Sequence, residues 1–412
     1  MDTFLESIHS RLEREPSANV ILVTGNESAD LDSITSAITT SFFLSRLPSH
    51  KASIIVPYIN IPRIDLALRS DVEYVLSTNN INRDHLFFRD QLPIFEELVK
   101  KNQLSLFLVD HNNVALSLAS LKTAKVVGVI DHHADENLYK DTANPRRIEV
   151  VGSCASLVAD EFLKKVIDSD KTDLSWTQTL ARLLLAPILT DTMDLDPEKK
   201  KVQPLDIAMT ELILSYTGWE SIQLYQNIGE APRDTSNLSR YELLRKQLYQ
   251  NIDEARRDTS NLSFYDLLRK DYKEWTVIQH STGKEIKVGI SSVVGLMAKY
   301  IERDSKEVLQ QAIDKWAQNQ NLDLSFVMLS GEHEGFHRQL IVNPVSSSVK
   351  DVPSQLEKVS LLELKKTPIV DTDEFVKKGG RAYLQHNNAC SRKQVWPIIE
   401  KLLTQPSQSS NL

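Results

Sequence analysis

The sequence predicts an α/β protein: a first half built on a mostly parallel sheet flanked by helices, followed by a smaller α+β domain. Three observations carry this. Up to about residue 167, short β-rich runs alternate with longer amphipathic ones; from 171 to 273 the pattern is largely helical; from 275 strand-like runs return. A βα alternation is the signature of a parallel sheet. In order, the expected strands are 19–24, 52–58, 72–76, 104–109 and 125–130, and the expected helices 31–46, 91–101, 113–121 and 154–167. The later strands are Trp275–Ile278, Lys287–Ile290, Leu324–Leu329 and Gln339–Val342. With 412 residues, 41% of them hydrophobic and 25% charged, the chain can bury two or three cores.

Composition excludes several classes. No apolar run reaches the ~18 residues that a membrane span needs, and the opening MDTFLESIHSRLEREPS carries acids where a targeting peptide would be basic. A cytoplasmic protein without a membrane partner is expected. The two cysteines, Cys154 and Cys390, make neither a disulfide framework nor a thiolate cluster, so any metal must be held by oxygen and imidazole. A net charge of −8 argues against a nucleic-acid surface, while leaving room for an anion in a local cationic pocket.

One segment is duplicated. LYQNIGEAPRDTSNLSRYELLRKQ (224–247) is followed directly by LYQNIDEARRDTSNLSFYDLLRKD (248–271), with five differences in 24 positions. A shift of 24 residues rotates a helical face by roughly 240°, so both copies cannot offer one stripe to one neighbour. The first copy reads as an insertion, helical with an N-cap in DTSNLS, and a chain lacking 224–247 is expected to fold.

Metal-capable residues follow each expected strand on one rim. After 19–24 comes GNESADLDS, with Asn26, Asp30 and Asp32; after 104–109 comes Asp110-His111-Asn112; after 125–130 comes Asp131-His132-His133; and Asp191 closes the run LLLAPILTDT. A single Asp after a strand is an ordinary helix cap or turn residue. Several in sequence order at strand ends are not, and divalent cations explain why mutually repelling carboxylates stand so close. Other patterns are weaker. His333-Glu-Gly-Phe-His337 matches H-E-x-x-H, but Gly331 and Gly335 lie between two strand-like runs, which reads as a hairpin connection and not as a zinc-binding helix. Asp194 and Asp196 read as turn acids and Cys154 as the start of a helix.

The ordered motifs GNESADLDS, VDHN, DHH and LTDT, with Asp271-Tyr-Lys273-Glu-Trp and Ser391-Arg392-Lys393 further on, resemble the DHH phosphoesterase superfamily in its DHHA2 branch. That branch holds family II inorganic pyrophosphatases, fungal cytosolic exopolyphosphatases and prune-like proteins. The resemblance implies a DHH domain over 1–215, a helical linker over 216–273, a DHHA2 domain with a mixed sheet over 274–404, and a polar tail over 405–412. It implies two divalent cations, Mn²⁺ or Mg²⁺ with Co²⁺ as a further candidate. Asp30 would bind one, Asp32, His132 and Asp191 the other, and Asp110 both. His133 would face substrate, and Lys273, Arg392 and Lys393 would hold phosphate from the second domain, across a cleft. Arg381 belongs to a basic C-terminal region suited to a polyanion. Asn26 stands where pyrophosphatases carry a histidine, which favours an exopolyphosphatase acting as a monomer on inorganic polyphosphate. The alternatives are a pyrophosphatase and a prune-like short-chain polyphosphatase or cyclic-nucleotide phosphodiesterase acting partly as a binding module. The short ending TQPSQSSNL favours the enzyme.

Overall fold

The computed structural model describes residues 1–169, 176–199, 201–216 and 240–405. The chain divides into two compact units, Met1–Asp258 and Thr259–Leu412.

In the first unit, six strands among the described residues form one sheet: β1 (Asn19–Thr24), β2 (Ser53–Ile59), β3 (Phe87–Phe88), β4 (Leu104–Val109), β5 (Lys125–Asp131) and β6 (Arg146–Ile148). Their spatial order is β3-β2-β1-β4-β5-β6, and every pairing is parallel. The chain thus adds strands one way from β1 and then the other way from β4. The loops after β1 and β4 part at that switch point, where a parallel sheet opens a crevice at its carboxyl edge. Register keeps the edge level: Thr24 pairs with both Tyr58 and Leu108, and Leu108 with Val129.

Both faces of the sheet are covered, which is why its strands read as continuous apolar runs. Val20 and Leu22 enter one core with Ile54, Val56, Leu106 and Leu108. Ile21 and Val23 enter the other with Ile55, Phe107 and Val109. The covering helices are α1 (Asp2–Arg14), α2 (Leu31–Arg46), α3 (Ser70–Thr78), α4 (Leu92–Lys100), α5 (Cys154–Ser169), α6 (Thr177–Asp191), α7 (Pro204–Tyr216) and α8 (Arg240–Arg257). Helix α2 is buried nearly all round, and its hydroxyls stay satisfied inside it: Thr35 donates to the Leu31 carbonyl at 2.8 Å and Thr39 to that of Thr35 at 2.7 Å.

Residues 72–76, expected as a strand, lie in α3 instead. Val72, Val75 and Leu76 share one buried helical face, and Tyr74 between them imitates strand alternation. Residues 113–121 form 3₁₀ turns over Leu116–Leu121, broken at Leu118, not an α-helix. Helix α1 is not among the expected elements although Phe4, Leu5, Ile8 and Leu12 recur at helical spacing; the strands β3 and β6, of two and three residues, are too short to show a period.

The second unit holds a mixed sheet of β7 (Tyr272–Ile278), β8 (Glu285–Val294), β9 (Leu324–Glu332), β10 (Phe336–Pro344), β11 (Leu364–Lys366) and β12 (Arg381–Gln385), in the order β11-β12-β10-β9-β8-β7. Only the β8–β9 pairing is parallel among these described strands. Its helices are α9 (Phe264–Lys270), α10 (Met297–Arg303), α11 (Lys306–Asn319), α12 (Val352–Leu356), α13 (Asp373–Lys377) and α14 (Arg392–Thr404). One face packs on Leu309, Ile313 and Trp316 of α11, and the other on Val395, Ile399 and Leu403 of α14. His333–Gly335 connects β9 to β10, with Glu332 paired to Phe336 and Gly335 at φ +118°, so the H-E-x-x-H residues sit on a hairpin.

Of the first repeat copy, 224–239 lie outside the described residues. Its residues 240–247 lie within α8, where Leu244 is buried in the core and Arg245 pairs with Asp194 at 3.0 Å. The N-cap expected in DTSNLS of that copy (234–239) therefore lies outside the described residues; in the second copy, Ser263 caps α9 and exchanges hydrogen bonds with Asp266. Because Leu244 fills core space, Leu244→Ala should cost about 2–3 kcal/mol in denaturant unfolding. Deleting 224–247, which removes Leu244 and Arg245 together, should lower the melting temperature, contrary to the expectation from sequence; an unchanged melting temperature would mean that α8 re-forms without them.

Candidate metal centre

The loop after β1 begins with a close approach. A Cβ at Gly25 would stand 2.7 Å from Ser33 Cβ and 2.9 Å from the Ser33 carbonyl oxygen, so the chain can turn against α2 only with glycine there. Asn26 shapes the next turn. Its side-chain oxygen accepts from Ser28 N–H at 2.9 Å, Ser28 Oγ at 2.6 Å and Ala29 N–H at 3.2 Å. Its amide donates to Asp110 Oδ2 at 2.8 Å. Ala29 is held in the left-handed region at φ +45°, and Arg69 Nε clamps its carbonyl at 2.7 Å. The chain is thereby aimed into α2, whose N-cap is Asp30: Ser33 N–H donates to Asp30 Oδ1 at 3.0 Å.

Asp32, one residue into α2, is 4% exposed and points at the N-terminus of α5. It accepts from Cys154 N–H at 2.6 Å, Ala155 N–H at 3.0 Å and Ser153 Oγ at 2.9 Å, a setting that favours a negative charge. Asp110, after β4, is 2% exposed and left-handed at φ +61°, an unusual conformation for a residue with a Cβ. Its Oδ2 accepts from Ser33 Oγ at 2.6 Å. Its Oδ1 is buried without an aligned hydrogen-bond donor, although His132 Nε2 lies 3.1 Å away and His133 Nδ1 3.7 Å away.

The residues of the DHH motif separate in role. Asp131 is fully buried and holds the turn, accepting both following backbone N–H groups and His133 Nδ1 at 2.8 Å. His132 donates from Nδ1 to the Val151 carbonyl at 3.0 Å, which leaves Nε2 facing Asp110 and, at 3.9 Å, Asp32. His133 keeps 56% of its side chain exposed. Asp191 ends α6, where the helix dipole disfavours an anion. Asp30, Asp32, Asp110, His132, His133 and Asp191 all line one cavity of about 440 Å³.

Charge crowding shows in the acid–base properties. Burial and the neighbouring Asp110 push Asp32 up to about 7. Burial and then Asp32 push Asp191 up to about 8, and burial with Asp110 raises Asp30. Burial opposes the proton on His132, but the Asp110 contact and the Asp32 charge outweigh it and raise the imidazole to about 10. The hydrogen bond to Asp131 raises His133. Protons thus take the places where cations would compensate the carboxylates. The donor set fits divalent metal: hard carboxylates, one imidazole oriented by a backbone carbonyl, and a buried Asp110 oxygen without an aligned donor. Among the described residues, Asp110, His132 and His133 can bring one ligand atom each within 4.8 Å of one another.

In the second unit, Lys273 on β7 pairs in register with Ile290, and Arg392 at the start of α14 donates from Nη1 to the Ile290 carbonyl at 3.3 Å, so these two cations are neighbours. Arg392 Nη2 is fixed by Asp271 Oδ1 at 2.7 Å. Lys393 follows, exposed. Arg381 begins β12, with β10, β9 and β8 between it and Lys273, and lines a separate pocket with Lys366 and Asp371. His111 is turned inward onto the Val109 carbonyl at 2.9 Å, and burial lowers its pKa. Cys154 is buried with its thiol pushed well up, not an activated nucleophile. Sequence reasoning did not find Arg69, Ser33, Ser153 or the anchoring roles of Asp131 and Asp271. The last two stand inside recognised motifs, whereas no local pattern marks an arginine 40 residues from the loop it clamps.

A level parallel edge that gathers carboxylates and imidazoles around one cavity defines a candidate divalent-metal centre on an α/β fold. The "DHH family, N-terminal domain" model matches residues 20–188, and the "DHHA2 domain" model residues 250–402. A Schizosaccharomyces pombe protein named "Putative exopolyphosphatase" is 30% identical over 92% of this chain and 89% of its own. Rattus norvegicus "Exopolyphosphatase PRUNE1" is 28% identical over 98% of this chain and 79% of its own. A Streptococcus pyogenes "Probable manganese-dependent inorganic pyrophosphatase" is 26% identical over 42% of this chain and 48% of its own. The chain belongs to the DHH family, in the branch that also carries a DHHA2 domain. Among the described residues, no helix is long and apolar enough to cross a membrane.

Two outcomes are expected. Arg69→Ala frees the Ala29 carbonyl and the strained turn before Asp30, so half-saturation with Mn²⁺ in calorimetry should need about ten-fold more metal, a loss of ~1.4 kcal/mol; unchanged affinity would make the clamp irrelevant to the centre. Asp32, Asp191 and His132 have folded-state pKa values above their unfolded ones, so the folded metal-free chain holds extra protons. Its stability therefore falls as pH rises through the window from about 4 to about 10, the two aspartates giving out by about 8 and His132 above that. Thermal scans in EDTA should show that fall, and Mn²⁺ should remove it.

Proposed function

We propose that the chain is a metal-dependent exopolyphosphatase that releases terminal orthophosphate from inorganic polyphosphate. The observation that carries this reading is the convergence of Asp32, Asp110, Asp191 and His132 on one cavity, with the pKa values of Asp32, Asp191 and His132 raised and one buried Asp110 oxygen without an aligned donor. The exopolyphosphatase names of relatives aligned over nearly the whole chain supply the substrate class. In this reading Asp30, Asp32, Asp110, His132 and Asp191 would hold two divalent cations, which would supply an acidified water and neutralise phosphoryl oxygens.

The chain's own groups do the rest. His132 would hold a metal through Nε2, its ring oriented by the Nδ1 proton on the Val151 carbonyl. His133 is different. Tied to Asp131 through Nδ1 and open to the cavity, with its pKa raised by that bond, it is placed to donate from Nε2 to a phosphoryl or leaving oxygen. Asp131, buried and hydrogen-bonded to both histidine backbones, orients this donor and stays out of the metal shell. Lys273, Arg392 and Lys393 are assigned to substrate phosphates, with Arg392 already held in position by Asp271. Arg381, in its separate pocket, is assigned at most to a distant part of a long chain.

Phosphate release from long-chain polyphosphate, pyrophosphate and a cyclic nucleotide, followed in parallel with added Mn²⁺ or Mg²⁺, tests the reading. Polyphosphate should be the best substrate, and faster turnover of pyrophosphate or of the cyclic nucleotide would overturn it. Asp110→Asn should abolish hydrolysis. His133→Gln should lower kcat by about 10²–10⁴ with metal affinity retained; an equal loss of metal affinity would make His133 a ligand and not a proton donor.

A further inference from the structure

Lys201 stands on the wall of the acidic cavity, in the segment between α6 and α7. Among the described residues that line the cavity it is the one lysine or arginine. The described residues offer its side chain no ion pair or hydrogen bond. It shares that lining with Asp30, Asp32, Asp110 and Asp191, and among the described residues it pairs with none of them.

Its position is nevertheless built. Asp206, fully buried at the start of α7, accepts from Gln203 N–H at 2.7 Å and Gly152 N–H at 2.8 Å through Oδ2, and from Ser156 Oγ at 2.6 Å through Oδ1. One carboxylate thus ties the Lys201–Gln203 segment to the loop that leads into α5, the helix whose N-terminus holds Asp32. The seam is tight. A Cβ at Gly152 would meet Asp206 Oδ2 at 2.8 Å and Thr192 Cγ2 at 2.4 Å, so glycine is required for the two loops to touch. The backbone of Lys201 is therefore set at the cavity wall while its long side chain stays exposed and adjustable.

We infer that Lys201 is a further substrate-contacting residue, a cation supplied by the first unit that binds phosphoryl oxygens of the phosphoanhydride substrate. The inference rests on the proposed polyphosphate chemistry and deepens it. Once divalent ions compensate Asp32, Asp110 and Asp191, the ammonium has no carboxylate left to answer and meets the incoming polyanion instead. Lysine suits this task because it acts as a point charge on a flexible stem and can follow successive phosphates without a fixed fork.

The test uses the full chain with saturating Mn²⁺, comparing wild type, Lys201→Ala and Lys201→Arg. The measurements are kcat and KM on polyphosphate, calorimetric binding of the non-hydrolysable imidodiphosphate, and Mn²⁺ affinity. Lys201→Ala should raise KM and weaken imidodiphosphate binding about ten-fold, with Mn²⁺ affinity and melting temperature unchanged, and Lys201→Arg should recover most of the loss. If the wild type is active and Lys201→Ala matches it in KM and in imidodiphosphate affinity, the inference fails while the proposed function stands. A parallel loss of Mn²⁺ affinity in Lys201→Ala also overturns it, because the residue would then act through the metals. A wild type that neither hydrolyses polyphosphate nor binds imidodiphosphate overturns the proposed function, and this inference with it.

Discussion

Asp32, Asp110 and Asp191 face one cavity although like charges there repel, and much of the first unit is arranged to withstand that repulsion. Each carboxylate is held by a different device. Asp32 receives the N-terminal amides of α5 and the Ser153 hydroxyl. Asp110 is fixed by a left-handed backbone and by Ser33 and Asn26 on one oxygen. Asp191 ends α6, whose preceding turns, Leu183 to Thr190, are buried without a break. Two unit charges 4 Å apart repel by about 4 kcal/mol at an effective dielectric of 20, so the crowding would scatter groups that were merely exposed on loops. What the scaffold does not cancel remains as protons on Asp32, Asp191 and His132. A site that holds protons in this way is one that metal can enter by exchange.

The DHH motif shows how three adjacent residues can serve three directions. The β5 backbone ends at Asp131, whose side chain turns inward and caps the next two amides. That cap fixes the following turn, so His132 and His133 leave it nearly perpendicular, with ring planes at 77° and centroids 4.5 Å apart. One ring is thereby sent to the carboxylates and the other to the open side. The two histidines share pKa direction but not cause: a buried charge network raises one, a single hydrogen bond raises the other. Exposure separates their uses, since a half-open imidazole can exchange its proton with substrate and a buried one cannot.

Strand ends were legible in the sequence because each is a buried apolar run stopped abruptly by acids, as in Val-Ile-Leu-Val-Thr24 before GNESADLDS. The ordering of motifs then placed them on one edge, since consecutive parallel strands share a carboxyl side. The misread segment 72–76 is short enough that both periods fit it, and only its neighbours on α8 and α2 decide for a helix. The site residues that escaped notice are those whose partners lie far along the chain. Arg69 clamps Ala29, and Asp206 joins Gly152 to Gln203, through hydrogen bonds whose existence depends on tertiary placement and leaves no local pattern. Arg381 shows another limit of local reading: composition groups it with a basic region, while strand order sets it across the sheet from Lys273 and Arg392.

The tandem repeat is where identical local sequence meets different tertiary demands. Leu-Leu-Arg-Lys occurs at 243–246 and again at 267–270. After the first, Gln-Leu-Tyr-Gln-Asn continues the helix; after the second, Asp-Tyr-Lys-Glu-Trp ends it and begins β7. The buried stripe of α8 runs Leu244, Leu248 and Ile252, spaced four residues apart, so it takes one member from the first copy and two from the second. Neither copy contains that stripe alone. The equivalent of Leu244, Leu268, is buried instead in the core of the second unit. Propensity within the shared sequence is the same in both places, and what differs is the period of the residues that follow, 3.6 in one case and 2 in the other. A duplication can therefore be absorbed without a new core, because joining the copies generates an amphipathic face at the junction that an existing core can bury.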